Sequence, residues 1–172
     1  MGSLDRALRE RLTDDLGVLL RRLGLAAIHV THDHDEAFAL ADRIAVLGGG
    51  RIDRIGTPEE VWADPGTVHA ARCLGHDNLV ALDADGCCAL GRLGDGPGTV
   101  LLRSDRLVLA GSGQGMAATV GAVARRAGRP VVGLLVGDLS VRVPVADGAP
   151  VPRSGDGVGL VVPAGAVVSL SG

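Results

Sequence analysis

The pattern change near residue 77 constrains this chain more than any other feature. Beyond it the sequence becomes a series of short apolar runs at 99–102, 107–109, 118–123, 131–135, 139–145 and 159–162. Turn pairs punctuate them: Asp85-Gly86, Asp95-Gly96, Gly137-Asp138 and Asp147-Gly148. Short strands cannot bury their apolar faces singly, so they must close on one another. That predicts a small all-β barrel or sandwich over residues 77–172. Before residue 77 the leading period is helical. Leu8, Leu12, Leu16, Leu19, Leu20 and Leu23 fall mostly three or four apart, which predicts a helix with one buried face. Ser3 or Asp5 can cap its start, and Gly24 follows as a stop.

Between these parts the pattern alternates. A short apolar run at residues 26–30 reads as a buried strand. It ends in a polar knot of His32, Asp33, His34, Asp35 and Glu36, and an Ala-rich helical pattern over 35–41 follows at once. Residues 43–47, the turn Gly48-Gly49-Gly50 and residues 51–55 read as a hairpin. Thr57 then caps a helix with Pro58 at its first position, and residues 67–74 form another short helix. In open α/β sheets, ligands sit beyond the carboxyl ends of strands. His32 stands at such an end.

The polar knot admits three residue-level readings. His29, His32 and His34 form a possible metal-ligand set, but side chains alternate faces on a strand, so His29 and His32 point opposite ways. A His-x-His-x-Asp-His metal site fits His32 and His34, yet Glu36 and Ala37 occupy the places that need Asp and His. No metal ligand is therefore assigned. The third reading is a helix N-terminus, with Asp33, Asp35 and Glu36 complementing the helix dipole.

Composition narrows the function. The 172 residues suit one domain or two small ones, and 47% apolar content with a net charge of -3 indicates a globular chain. No apolar run is long enough to span a bilayer, and the first residues lack a secretion-signal core, so a cytosolic location is expected. Cys73, Cys87 and Cys88 make an odd set without zinc-ribbon spacing and read as reduced thiols. One Phe, one Trp and no Tyr argue against base-stacking surfaces, and the negative charge argues against binding a phosphate backbone; nucleic acid is not an expected partner. Every basic residue is Arg. A phosphate-binding P-loop needs a lysine, so none is encoded in these residues.

Several phrases together resemble one family. Thr31-His32-Asp33-His34-Asp35-Glu36-Ala37 followed by Ala41-Asp42-Arg43-Ile44 is similar to the switch-histidine region of ATP-binding-cassette (ABC) transporter ATPases, where Gln is usual in place of His34. Gly2-Ser3-Leu4-Asp5 resembles the D-loop. Gly50-Arg51-Ile52, Gly56-Thr57-Pro58-Glu59-Glu60-Val61 and Ala71-Arg72-Cys73-Leu74-Gly75 resemble the hairpin, the next helix and the closing phrase, with Cys73 in place of the common Phe. Leu101-Leu102-Arg103-Ser104-Asp105-Arg106-Leu107, with residues 139–144 and 158–163, looks like the accessory OB-like (TOBE) domain of importer ATPases.

The resemblance implies an α/β fragment of a P-loop NTPase-like domain over residues 1–76, followed by an all-β OB-like small barrel over 77–172. It implies the ATP-binding subunit of an importer of the iron, thiamine, polyamine, molybdate or sugar group. His32 would be the switch histidine that senses the γ-phosphate. Asp5, Ser3 and Asp33 would lie at the nucleotide and dimer interface. ATP and Mg2+ would be the cofactors. Membrane permease subunits and a second ATPase subunit, as a homodimer, would be the partners, with the protein peripheral on the inner face of the cell membrane and not inserted in it. The family's P-loop, signature and Walker B segments belong ahead of Gly2. The chain therefore reads as N-terminally truncated, by a split gene, a shortened product or an internal start, and is not expected to hydrolyse ATP alone. Loss of sheet partners leaves residues 8–30 with exposed apolar surface and makes the first part marginal. Two other functions compete: a stand-alone regulatory or small-oxyanion-binding β module, and a metal-dependent hydrolase at His32 and His34.

Overall fold

The computed structural model describes residues 3–126 and 128–172, with backbone alone at residues 3–7, 9 and 10. The expected long helix is α1 (Ser3–Leu23). It ends through Gly24, whose φ is +62°, and the Leu25 N–H reaches back to the Leu20 carbonyl at 3.2 Å. That is the backbone closure a left-handed residue permits at a helix end. Asp5 lies inside the helix rather than ahead of it.

The apolar stripe of α1 is not covered. Leu8, Leu12, Leu19 and Leu23 are all at least half exposed. The helix rests on α2 (His34–Leu40), where Gly17 approaches the Leu40 side chain. The strand expected at residues 26–30 does not form. That stretch carries no regular structure, and Ile28 is 97% exposed. Strand geometry persists only where a neighbour takes up its amides and carbonyls, and no strand among the described residues pairs with it.

Beyond this point the first part closes on itself. β1 (Ile44–Gly48) and β2 (Arg51–Gly56) form a hairpin across Gly49-Gly50, both at positive φ. A two-residue turn of this hand matches the strand twist and needs that conformation at both positions. The pairing slips by one residue after Val46, leaving Asp53 as the extra residue of a bulge. Helix α3 (Pro58–Ala63) starts in a full capping box: Glu60 N–H donates to the Thr57 hydroxyl, and the Glu60 carboxylate accepts from the Thr57 N–H at 2.9 Å. Helix α4 (Val68–Cys73) is capped by Thr67, which accepts from the Ala70 N–H at 2.9 Å. Ile44, Val46, Val61, Ala70 and Leu74 form the core here, with Phe38 and Trp62 against it.

The strands of the remainder all pair antiparallel, with single 3-10 turns at Ser104–Arg106 and Ala164–Ala166. In chain order these are β3 (Leu79–Leu82), β4 (Cys87–Cys88), β5 (Gly91–Arg92), β6 (Gly98–Leu102), β7 (Val108–Ala110), β8 (Met116–Arg126), β9 (Arg129–Val136), β10 (Leu139–Pro144), β11 (Gly157–Val161) and β12 (Val167–Leu170). One sheet has the order β10-β9-β8-β11-β7, another β12-β6-β3, and β4 pairs with β5. Inward positions follow the two-residue strand period: Val132 and Leu134 on β9 and Val141 and Val143 on β10 are fully buried. Both larger sheets contribute to one core with Val100, Leu102, Val120 and Leu160. The six apolar runs of the sequence all appear as strands. β3 and β12 were not foreseen, because four residues without turn signals on both sides give little periodicity to read.

Those two strands connect the parts. Ala71 of α4 is buried with Leu101 and Leu170. Ser171 pairs with Thr67 and donates from its backbone to the Gly66 carbonyl at 2.9 Å. Asn78 is 3% exposed; its side-chain nitrogen donates to the Arg142 carbonyl and its oxygen accepts from the Arg142 N–H, both at 2.7 Å. Asp77 pairs with Arg126 and, at 2.7 Å, with Arg142.

Two outcomes follow from this packing. Limited proteolysis should cut first within residues 24–33 and release α1, leaving a resistant fragment from about α2 onward; a resistant fragment that still contains α1 contradicts the scheme. Asn78→Ala removes both side-chain partners of the Arg142 peptide and should lower stability by about 1–3 kcal/mol in urea unfolding.

Candidate functional site

The candidate site is the turn between residues 28 and 36. Its frame is a set of short polar contacts that hold the entrance to α2. Asp33 is the N-cap, with its carboxylate accepting from the Asp35 N–H at 3.0 Å and the Glu36 N–H at 3.4 Å. The Thr31 hydroxyl accepts from the Asp33 N–H at 3.0 Å and donates to the Glu36 carboxylate. Side-chain acceptors at an N-cap satisfy amides that the helix cannot pair internally. Asp33 thus has a structural role whatever else it does.

Glu36 is the electrostatic centre of this turn. His29 Nε2 lies 3.3 Å from its carboxylate. The Thr31 hydroxyl, and then His29, hold the Glu36 carboxyl below its ordinary value of 4.5. His29 is therefore drawn to Glu36. His32 is exposed and has no hydrogen bond among the described residues. The three histidines do not converge: His34 Nε2 instead sits 3.4 Å from Asp35. Among the described residues no group of three His, Cys, Asp or Glu side chains could hold a metal ion.

His34 ties the turn to the rest of the fold. Its ring packs on Gly75, where an added Cβ would stand 3.0 Å from Nε2 and 3.1 Å from Cε1. Gly75 also has φ +86°, so both the backbone and the imidazole favour glycine there. A line of rings runs beside it. Phe38 meets Trp62 edge-on at 5.7 Å, and Trp62 stacks on His76 at 4.0 Å. His76 is buried and its Nε2 has no partner among the described residues. Burial lowers its pKa from 6.5, opposed by a hydrogen bond with the Trp62 backbone. A neutral ring is what this packing accommodates.

The structure therefore gathers Thr31, His32, Asp33 and Glu36 into one turn. Ser3 and Asp5 lie on α1, and their side chains fall outside the described residues. Sequence reading missed His76, Trp62 and Asn78. The one signal for Asn78 was its place after the Ala71-Arg72-Cys73-Leu74-Gly75 phrase.

The Glu36 contacts have a testable consequence. A carboxylate with a lowered folded pKa adds stability above its unfolded pKa and loses it as pH falls through the folded value. Helix α2 should accordingly begin to fray only below about pH 4.5. Thr31→Val should raise the Glu36 midpoint toward 4.5, as read by carboxyl NMR titration, and an unmoved midpoint would refute the assignment.

Comparison with known proteins gives the wider setting. No family model matches the chain. The Fe(3+) ions import ATP-binding protein FbpC of Streptomyces avermitilis is 39% identical over 182 aligned positions, covering 100% of this chain and 53% of that protein. The protein of the same name from Streptomyces coelicolor is 49% identical over 89 residues, covering 52% of this chain and 26% of that protein. The spermidine/putrescine import ATP-binding protein PotA of Bacillus thuringiensis is 44% identical over 80 residues, covering 46% of this chain and 24% of that protein. The chain spans about half the length of the first of these relatives. Its homologues are the ATP-binding subunits of ABC importers, and its resemblance to the C-terminal region of such a subunit is thereby established.

Proposed function

We propose that this chain supplies the switch-histidine half of an ABC importer ATPase together with its accessory β domain. The carrying observation is the 39% identity that runs through all of this chain. Residues 1–76 act as the C-terminal portion of the ATPase domain, and residues 77–172 as a TOBE-like barrel. The shared core of the two antiparallel sheets is compatible with an OB-like closure.

In this reading His32 senses the γ-phosphate of ATP. A neutral imidazole can donate from one nitrogen and accept at the other, so it can link phosphate, water and backbone. The turn supports that task by leaving His32 exposed while Thr31, Asp33 and Glu36 fix the backbone on either side. Ser3 and Asp5 face the partner ATPase subunit across the nucleotide, and Asp33 braces the same edge. ATP with Mg2+ is the bound nucleotide; the metal would neutralise phosphate charge, and His32 would orient toward that phosphate. The bare Leu8, Leu12, Leu19 and Ile28 side chains support a docked neighbour, because apolar patches of this kind are normally covered. The neighbour is the remainder of the ATPase fold. The partners beyond it are a second ATPase subunit and membrane permease subunits, at the cytoplasmic face of the cell membrane. No helix among the described residues is long and apolar enough to cross a membrane. The relatives' names support an iron or polyamine cargo.

A chimaera tests the assignment. The matching part of the Streptomyces avermitilis subunit is replaced by this chain and assembled with its permease. The chimaera should turn over ATP, and His32→Ala in it should reduce turnover by about a hundredfold. These 172 residues alone should not turn over ATP, since they contain no lysine to hold the phosphates. Turnover by the chain alone, or an undiminished His32→Ala chimaera, would sink the proposal.

A further inference from the structure

A second set of reactive side chains meets beneath the β1–β2 hairpin. Asp53 Oδ2 lies 2.8 Å from His69 Nδ1, and His69 Nε2 lies 3.5 Å from Cys73 Sγ. Three features of the fold create this line. Asp53 is the extra residue of the bulge in β2, and bulges re-aim a side chain. His69 and Cys73 are four apart on α4 and so share a face. Gly48 closes over the Asp53–His69 bond: a Cβ there would stand 2.2 Å from Asp53 Oδ2 and 2.7 Å from His69 Nδ1. The Asp53 side chain is only 7% exposed as a result, while Cys73 at the other end of the line is open to solvent.

The arrangement is a nucleophile, a base and a carboxylate that orients the base. Asp53 and Cys73 occupy opposite nitrogens of one ring, so the three cannot share a metal ion. With Nδ1–H donated to Asp53, Nε2 is the free acceptor for the thiol proton. The imidazolium that results lies beside a buried carboxylate. Acyl transfer is a poor fit, because the following amides are already used. Leu74 N–H bonds the Ala70 carbonyl, Gly75 N–H that of Arg72, and His76 N–H that of Ala71, which leaves no donors there for an oxyanion. Attack on a disulfide needs no such donors.

We propose that Cys73 is a reactive thiol that exchanges with low-molecular-weight disulfides, with His69 as its base and Asp53 as the residue that positions His69. His69 takes the thiol proton, and the thiolate attacks one sulfur of the disulfide. A bond forms between Cys73 and that sulfur as the old sulfur–sulfur bond breaks. The leaving thiolate carries off the electron pair and receives the proton from His69. Cys73 sulfur is oxidised and the leaving sulfur is reduced, so the disulfide is the whole oxidant.

Cys87 and Cys88 are internal references: their thiols contact the backbone carbonyls of Asp85 and Gly91, with no imidazole. The full chain is treated with dithiobis(nitrobenzoate) near neutral pH, and the rate at each cysteine is read by peptide mass mapping. Cys73 should react about tenfold faster than either reference, part of it from exposure alone. The decisive arm is His69→Ala, which should slow Cys73 several-fold while leaving Cys87 and Cys88 unchanged; Asp53→Asn should slow it in the same direction by less. Circular dichroism checks folding, and if His69→Ala unfolds, Asp53→Asn decides. A Cys73 rate no faster than the references, or one indifferent to the folded variants, overturns the proposal.

Discussion

Asn78 does with a side chain what a neighbouring strand does with its backbone. β10 is an edge strand, and the Arg142 peptide faces outward from it with one donor and one acceptor to satisfy. The Asn78 amide offers the complementary pair in the same orientation. A sheet edge left open is a site for adventitious pairing. Here it is closed by a residue that belongs to the connection between the helical part and the barrel-like part. The adjoining Asp77 adds ion pairs to Arg126 and Arg142, but these are exposed and contribute less than the buried amide. At this junction the neutral Asn78–Arg142 pair therefore contributes more than the exposed charges beside it.

Residues near this junction serve two neighbours at once. Gly75 gives its Cβ space to His34, Trp62 lies between Phe38 and His76, and Ala71 reaches into the β12–β6 layer. A path of packed groups therefore runs from the entrance of α2 to the β sheets. It is a static connection; coupling through it requires that one of its members have two arrangements. The unpartnered Nε2 of His76 is the group in that path with an unmet hydrogen-bonding capacity, and a buried imidazole gains nothing from acquiring charge there.

Much of this was readable from residues alone where the local chemistry is decisive. Thr57-Pro58 with Glu60 announces a helix start, Gly49-Gly50 announces a reversed turn, and the Val-rich runs announce strands; each signal acts within a few residues. The failures involve long-range partners. Residues 26–30 have strand composition, but composition supplies no neighbour. The Asp53 bulge arises from a one-residue mismatch between two strands, which neither strand reveals separately. The candidate turn was legible as a cluster, yet the split between His29, drawn to Glu36, and His32, left open, depends on where the Thr31 hydroxyl goes. Strand alternation, the reason for setting His29 apart from His32, has no strand to act on; the His29–Glu36 contact distinguishes them instead.

The pairing of Ser171 with Gly66 and Thr67 has a consequence for synthesis order. Residue 71 of α4 finds its apolar neighbours Leu101 and Leu170 only in later segments, the second of them two residues from the end of these 172. A chain emerging from the ribosome therefore carries α4 for nearly a hundred residues before the Ala71 side of it is covered. The helices and hairpin can form and pack early from local contacts, but the Ala71 face of α4 waits on the last of these strands. A nascent chain that stalls before β12 presents a sealed capping box and an unsealed core.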